Sequence, residues 1–588
     1  MILAENKRTH YKIICAADAD RQTMHAAEEL RTYLNRITDA SFQLYMEGEP
    51  PLEIAPKHHL NGLRLPERET YIYVGDTAFA DRMGYTVPRE LGKEGFSIRG
   101  IGDTLYIAGG KPRGVLYGVY TFLETYCGCR WFTDEISRIP TRSVLEIPEI
   151  DDTQVPVLEY REPQYTSYGT ADWSVRNKVN STTSLLSDLY GGKITYKGFV
   201  HTFDSLIDPK DYFETHPEYF SEINGVRKNH PTQLCLTNPD VLALAKKRVR
   251  EWIAENPNVS IVSVSQNDWG HFCTCEKCRA LDAQEGSHMG TLLTFVNAIA
   301  DDIREDYPDV AIDTLAYQYT RKPPKTVRPH DNVIIRLCSI ECCFAHPLEE
   351  CDYTFSHWDG CDNTFREDLI AWGKISRRLH IWDYVVNFHH NLLPHPNWGV
   401  LQKNIQFFVK NNVVGVFEQG NSFRGRYGEF DKMKQYVLAK LMWDPDCDMN
   451  VHVNEYLHGV YGTAAGEVRR YFDLLQGLIT PDTHLWIYHN PDDAYLTDEF
   501  LEAGDACLAR AEIAADDDET LQRVRVLRLS TRYALLCRMA MDDPRREPGW
   551  DAFYRDVTAA GIDTFYWRQM PDRAMEFLRA GDLRFGHK

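Results

Sequence analysis

The chain has 588 residues, 43% of them hydrophobic and 26% charged, and a formal net charge of −21. That is the composition of a soluble globular protein. No run approaches the roughly 20 apolar residues that cross a bilayer, and no Lys/Arg stripe offers a surface to nucleic acid or an anionic membrane. The start, MILAENKRTHYK, lacks the apolar core of a signal peptide, which leads to the expectation of a cytoplasmic protein. The 15 cysteines are an odd number, and several sit in apolar runs, Cys15 in YKIICAA and Cys235 in QLCLT among them. These read as reduced, buried small hydrophobes.

Residues 1 to 150 alternate strand and helix signals and predict a small α/β accessory domain. YKIICA reads as a strand and HAAEELRTYLNRI as an amphipathic helix. TYIYVG, GFSIRG and TLYIAGG read as three glycine-bounded strands. GGKPRGVLYGVYTFLETYCGCRWF opens a further helix after Gly109 and Gly110. Its Pro112-Arg113-Gly114 could cradle an anion at the helix start, but a tight strand-to-helix turn is the preferred reading.

From 151 to 430 short apolar strands alternate with helical stretches such as PDVLALAKKRVREWIAEN. Eight strands are predicted: VLEYREPQY, KGFVHTF, TQLCLTN, SIVSVSQND, VAIDTLAYQY, NVIIRLCSIE, LHIWDYVVNF and VVGVFEQGN. Strands this apolar imply burial on both faces, and eight such units predict a (β/α)8 TIM-type barrel. An open doubly wound sheet ranks second, because no Gly-rich phosphate fingerprint follows the first strand. Residues 431 to 588 carry helical spacing and acidic first turns, which predicts an α-helical C-terminal region.

In such a barrel the chemistry sits at the C-terminal strand ends. Those ends carry Arg161 and Gln164, His201, Asn238, then Gln266, Asn267 and Asp268, Tyr317 and Tyr319, Glu341, Trp382 with Asp383, and Glu418 with Gln419. Aromatic faces stack on sugar rings while Asp, Asn, Gln and Arg bind hydroxyls, so the expected partner is a glycan or oligosaccharide. Glycoside hydrolysis needs an acid at the leaving oxygen and a second group for the developing positive charge. Asp268, Glu341, Asp383 and Glu418 are the candidates, and a retaining pair would lie about 5 Å apart. The same carboxylates can equally be ion pairs or caps.

Cys273, Cys275 and Cys278, with His271 just before, have ligand types and local spacing that could hold a structural zinc. Cys338, Cys342 and Cys343 around Glu341 could supply a partner, and packing thiols are the competing reading. The chemistry itself requires no cofactor.

SVSQNDWGHFCTCEKC, TLAYQYTRKPPKTVRPHDNVIIRLCSIECCFAHPL, WDYVVNF and GVFEQGN resemble the bacterial family known as domain of unknown function 4838, over residues 160 to 445. That family overlaps glycoside hydrolase family 163, which implies endo-β-N-acetylglucosaminidase activity on N-glycans. GGKPRGVLYGVYTFLE...GCRWF is similar to the accessory domain of family 20 hexosaminidases and family 67 α-glucuronidases. Family 20 enzymes use an Asp-Glu pair, and the matching positions here are Asn267 and Asp268. The likeness implies retaining, substrate-assisted cleavage of N-acetylhexosamine glycans. Asp268 would be the acid with a pKa raised by burial or neighbours, Asn267 would orient the acetamido group, and Glu341 and Glu418 would stabilise charge; in the rival assignment Glu341 or Glu418 is the acid or nucleophile and Asp268 binds a hydroxyl. Gln266, Arg161, His201, Asn238, Tyr319, Trp382 and Asp383 would bind sugar. Alternatives are an α-glucuronidase-like hydrolase holding a carboxylate on Arg161 or Arg176, and a non-catalytic carbohydrate-binding protein.

Overall fold

The computed structural model describes residues 1–48, 70–78, 89–165, 170–357, 362–421, 428–567 and 569–584. The chain forms two compact units. One is Met1–Val157 with Tyr168–Asn180 and Ser184–Lys193; the other is Leu158–Ser167, Ser181–Thr183 and Ile194–Lys588. Among the described residues no helix is long and apolar enough to cross a membrane.

The first unit is built on β1 (Tyr11–Cys15), α1 (Arg21–Thr38), β2 (Gln43–Met46), β3 (Thr70–Val74), β4 (Phe96–Ile101), β5 (Thr104–Gly109), α2 (Gly114–Thr121) and β6 (Asp151–Gln154). Its six-stranded mixed sheet has the order β6-β4-β5-β3-β1-β2. Asp20 caps α1 by accepting from Thr23 N, and Ala26, Ala27, Leu30, Leu34 and Ile37 bury one helix face. The Gly109–Gly114 turn is a close-packing device. A Cβ on Gly114 would stand 2.2 Å from the Gly95 carbonyl oxygen. Arg113 is spent on Glu94, with its Nε 2.8 Å from Oε1, and on the Gly191 and Gly192 carbonyls. It has nothing left for an anion.

The second unit holds a seven-stranded, wholly parallel sheet. Its strands are β7 (Tyr160–Gln164), β8 (Tyr196–Lys197), β9 (Ile261–Ser263), β10 (Ala311–Ala316), β11 (Val333–Cys338), β12 (Leu379–Tyr384) and β13 (Val413–Gln419), in the order β7-β13-β12-β11-β10-β9-β8. The helices between them include α3 (Pro239–Glu255), α4 (Glu276–Glu285), α5 (Met289–Ile303), α6 (Phe365–Ile375), α7 (Trp398–Lys410) and α8 (Asp431–Trp443). The sheet curls: the Tyr160 and Tyr196 rings, from its two edge strands, meet at 5.7 Å. Phe199 touches Tyr196, Trp382 and Phe417 and lies under the Arg336 guanidinium at 4.4 Å. A ring that meets side chains from four strands lies inside the curl.

The interior face follows by alternation. Tyr160, Glu162 and Gln164 of β7 pair in register with Gly415, Phe417 and Gln419 of β13. His380, Trp382 and Tyr384 of β12 share that face, as do Asp313 and Arg336. The apolar centre of a barrel is here part polar, with Arg336 Nη2 2.8 Å from Asp313 Oδ1 and both side chains essentially unexposed.

The expected eighth strand does not form. Of KGFVHTF only Lys197 pairs, with Tyr196 just before it, because Gly198 turns into the left-handed region at φ +63°. TQLCLTN leaves the sheet altogether. Its backbone pairs with 219–221 instead, through Ser221 N to Gln233 O and Cys235 N to Tyr219 O. The helical C-terminal region belongs to this same unit. His390, just past β12, bonds the Tyr533 hydroxyl at 2.6 Å and the Leu583 carbonyl at 3.0 Å.

Removing one partner of a buried ion pair strands the other charge. Asp313→Ala is therefore expected to destabilise the second unit by about 3–5 kcal/mol, read as a lower urea midpoint.

Candidate active site

β9 stops at Ser263; after backbone bonds from Val264 N to Asp313 O and from Thr202 N to Ser265 O, the chain runs on to Asp268 held mainly by side chains. Thr202 Oγ1 donates to Ser263 O and accepts from Ser265 N. Gln233 does most of the rest. Its Oε1 accepts from Asn267 N at 2.9 Å, and its Nε2 faces the carbonyls of Asn267, Trp269 and Gly270. Thr232 O accepts from the Trp269 indole at 2.6 Å. The segment 232–235 is thus a clamp on 267–270.

The clamp delivers Asp268 to the C-terminal end of the sheet with its side chain 60% exposed; of the two expected environments, burial is not the one found. Tyr317 donates its hydroxyl to Asp268 Oδ1 at 3.0 Å. Burial, with the Asp268 charge next, pushes the Tyr317 phenol well above its ordinary range, so it remains a donor. His201 Nδ1 lies 2.8 Å from the Gln266 carbonyl and must carry the hydrogen. Its Nε2 consequently faces Asp268 Oδ1, at 3.5 Å. His201 holds φ +54°, a left-handed conformation that a non-glycine side chain seldom adopts.

Tyr384 is near enough to feel the Asp268 charge, and a run of ring contacts leads away from it. Tyr384 packs on Phe388 (5.8 Å), Phe388 on Tyr488 (6.2 Å), and Tyr488 on Trp486 (4.9 Å) and Trp567 (5.6 Å). The Tyr488 hydroxyl is close enough to act electrostatically on both Tyr317 and Tyr384. Trp486, Tyr488 and Trp567 come from the helical region, where sequence reading saw only structure. Gln233 was also missed.

The other predicted carboxylates go elsewhere, and strand parity explains two of them. Asp383 and Glu418 are neighbours in register, one residue out of phase with the interior Trp382 and Phe417. They face the helix layer, 2% and 1% exposed, where Asp383 bonds Ser339 at 2.5 Å and Asn404 of α7. Neither reaches the mouth. Glu341 is 2% exposed and paired with Arg321, which also holds Asp368 at 2.7 Å; Glu341 and Arg321 line a separate cavity of about 130 Å³.

Several expected sugar ligands are likewise committed to the fold. Arg161 points outward, its guanidinium 5.3 Å from the Trp443 ring of α8. Asn238 caps α3, accepting from Asp240 N. Tyr319 packs on Phe272 and His288, away from Asp268. Trp382 lies inside the curl and donates to Gln419 at 2.8 Å. Gln266 donates to Tyr317 O and Thr320 Oγ1. Asn267 gives its amide hydrogens to Asp204 and Thr232 O, leaving none for an acetamido group. Arg176 lies in the first unit, ion-paired with Glu29 and Asp172. With Arg161 and Arg176 both engaged, the acidic-sugar reading loses the residues it rested on. Asp268, His201 and Tyr317 are what the structure brings together.

The cysteines resolve differently from expectation. Cys273, Cys275 and Cys278 are joined by Cys235, and all four sulfurs lie within 4.8 Å of one another. His271 is exposed and outside the cluster. Cys338 is on the interior face and Cys342 on the Glu341 cavity wall, so neither takes part. Cys235 Sγ is 3.8 Å from Cys275 Sγ and 4.0 Å from Cys278 Sγ. A tetrahedral Zn²⁺ with Zn–S near 2.3 Å sets its sulfurs about 3.8 Å apart. The Glu222 N–H, Arg227 and the Thr237 hydroxyl all reach these sulfurs, as donors to thiolates would. The residues fit the ion.

The fold is thus a curled parallel α/β sheet with an acid and aromatic rings at its C-terminal end. Residues 131–473, more than half the chain, match the family described as Domain of unknown function (DUF4838), and the protein belongs to that family. A search of curated protein sequences finds no match. Among solved structures, CpGH89 from Clostridium perfringens in complex with its substrate GlcNAc-α-1,4-galactose aligns with a TM-score of 0.52 at 12% identity, over 91% of this chain and 65% of that one. That likeness is one of fold. A GH138 enzyme targeting pectin rhamnogalacturonan II aligns with a TM-score of 0.47 at 10% identity, over 97% of this chain and 98% of that one. CpGH84B aligns with a TM-score of 0.47 at 9% identity, over 97% and 96%.

Burial raises the Asp383 carboxyl to about 6; burial and then the Asp383 charge raise Glu418 well above the ordinary range. Unfolded carboxyls ionise near pH 4. The folded state therefore holds protons that the unfolded state releases, and stability falls as pH rises from about 4 through 6. Glu418→Gln is expected to raise Tm by a few degrees at neutral pH, with the gain shrinking towards pH 4.

Proposed function

We propose that the protein is a retaining glycoside hydrolase acting on N-acetylhexosamine-containing glycans, with Asp268 as general acid and base. The observation that carries this reading is one exposed carboxylate at the C-terminal end of a curled parallel sheet, held by the Tyr317 hydroxyl, with His201 beside it and Tyr384 near enough to feel its charge. The fold shared with CpGH89, whose bound substrate is GlcNAc-α-1,4-galactose, supports it. So does the motif resemblance to family 163, which points to β-N-acetylglucosaminides.

Of the four strand-end carboxylates only Asp268 reaches the mouth, so a second carboxylate nucleophile is not among those candidates. Substrate-assisted cleavage meets that constraint. The 2-acetamido oxygen attacks the anomeric carbon while Asp268 protonates the departing glycosidic oxygen. The same carboxylate then removes a proton from the incoming water. The Tyr317 hydroxyl keeps Oδ1 oriented, and Tyr384 and Tyr488 offer faces to the sugar. With Asn267 consumed internally, the acetamido group takes its orientation from other groups.

The Cys235, Cys273, Cys275 and Cys278 site is closed by four protein ligands. Zinc there would brace the loop and supply no Lewis acid to the sugar.

On a panel of aryl N-acetylglucosaminides, N-acetylgalactosaminides and glucuronides plus an intact N-glycoprotein, turnover is expected on N-acetylhexosaminides and inhibition by a thiazoline. Asp268→Asn is expected to lower kcat by about 10²–10⁴ on poor leaving groups and much less on dinitrophenyl glycosides. Full activity in both Asp268→Asn and Asp268→Ala would refute the acid; binding by calorimetry without turnover would leave a binding protein. For the thiols, Cys235→Ser is expected to lose one equivalent of zinc and several degrees of Tm.

A further inference from the structure

The stretch CFAHPLEEC follows β11 and contains Cys343, His346 and Cys351. The fold brings His484 to it from 141 residues beyond Cys343. The Sγ atoms of Cys343 and Cys351 and a ring nitrogen from each histidine all lie within 4.8 Å of one another. Cys343 Sγ is 3.3 Å from His484 Nδ1 and 3.7 Å from His346 Nδ1. We infer that Cys343, His346, Cys351 and His484 form a second zinc site, of Cys2His2 type, separate from the four-thiol one.

Three features beyond proximity argue for a metal. His346 Nε2 lies 3.0 Å from the Thr480 carbonyl, so it carries the hydrogen and leaves Nδ1 a lone pair pointing at the cluster. A ligating histidine is normally fixed in this way, by its other N–H on a carbonyl. The Ala345 N–H reaches Cys343 Sγ at 3.4 Å, a contact that favours the thiolate. Tyr353 stacks flat on the His484 ring, at 3.8 Å and 8°, and fixes its plane. Two thiolates and two imidazoles in a closed tetrahedral set are the donors of structural Zn²⁺; softer or harder ions prefer all-sulfur or oxygen sets.

The site has a mechanical consequence. It ties the loop after β11 to the segment 484–489. Phe344 N donates to Leu485 O, Trp486 Nε1 donates to Ile340 O, and Phe355 stacks on Trp486 at 5.3 Å. The same segment supplies Trp486 and Tyr488 to the mouth. Zinc would therefore set one aromatic wall of the cleft, a consequence for substrate binding that rests on the sugar-cleft reading, whereas the metal count does not.

The test is zinc content of the purified full-length chain by mass spectrometry. Wild type is expected to hold one equivalent more than either Cys351→Ser or His484→Ala, with helical circular dichroism retained. The Cys235→Ser loss should add to theirs. Should the variants not fold, cobalt(II) titration of metal-stripped wild type decides. Two equivalents with tetrahedral d–d absorption support the site, and saturation at one that Cys235→Ser abolishes overturns it. Equal zinc in wild type and both folded variants overturns it as well. So does a Cys343–Cys351 disulfide in the non-reduced peptide map of freshly purified protein.

Discussion

The second unit is organised around a charge it cannot expose. Arg336 projects from the middle of β11 into the centre of the curl, faced by Tyr196, Phe199 and Trp382 and neutralised by Asp313. Dehydrating an isolated guanidinium costs several kcal/mol, more than the roughly 2 kcal/mol one buried ring returns. The carboxylate and the rings must therefore arrive together. Ser263 bonds the same Asp313 oxygen, and the Phe199 carbonyl accepts from Arg336, so β8, β9, β10, β11 and β12 all commit side chains or backbone to this centre. A sheet of seven strands can curl without an eighth because its centre is held by ions and rings.

Parity then decides chemistry. A strand end delivers a side chain either into the mouth or under the helices, and one residue separates the two. Trp382 and Phe417 face in, so Asp383 and Glu418 face out. Once outside they share a buried layer, where burial raises both carboxyls and the Asp383 charge raises Glu418 further, an effect of confinement rather than catalytic tuning. Asp268 escapes this rule because it lies beyond the ladder. Its position is set by Gln233, His201 and Tyr317, and its carboxylate stays wet.

Much of this organisation could be read from the residues. The apolar runs at 311–316, 333–338, 379–384 and 413–419 all became strands, since burial on both faces leaves an unmistakable pattern, and the more polar 160–164 joined them. The same burial erases the sign of the alternation. Nothing in LHIWDYVVNF says which of Trp382 and Asp383 looks inward. TQLCLTN failed because its composition suits a strand while its hydrogen bonds are claimed by 219–221 and 267–270. Cys273, Cys275 and Cys278 were visible as ligands through local spacing. Cys235 and His484 were not, because their partners are neighbours only after folding. The wall residues Trp486, Tyr488 and Trp567 were hidden for the same reason.

The clamp on Asp268 has one more implication. Gln233, which fixes the backbone of 267–270, stands two residues before Cys235 in the same short loop. If the four thiols hold zinc as proposed, removing the ion loosens Gln233, and through it the acid. Such an enzyme would lose turnover in chelator and regain it with zinc, and a crude assay would class it as a metallohydrolase although the four thiols leave their ion no open position for the glycosidic bond. Inhibition by chelator would report a scaffold, and only an oxygen-ligand metal at the sugar itself would report a Lewis acid.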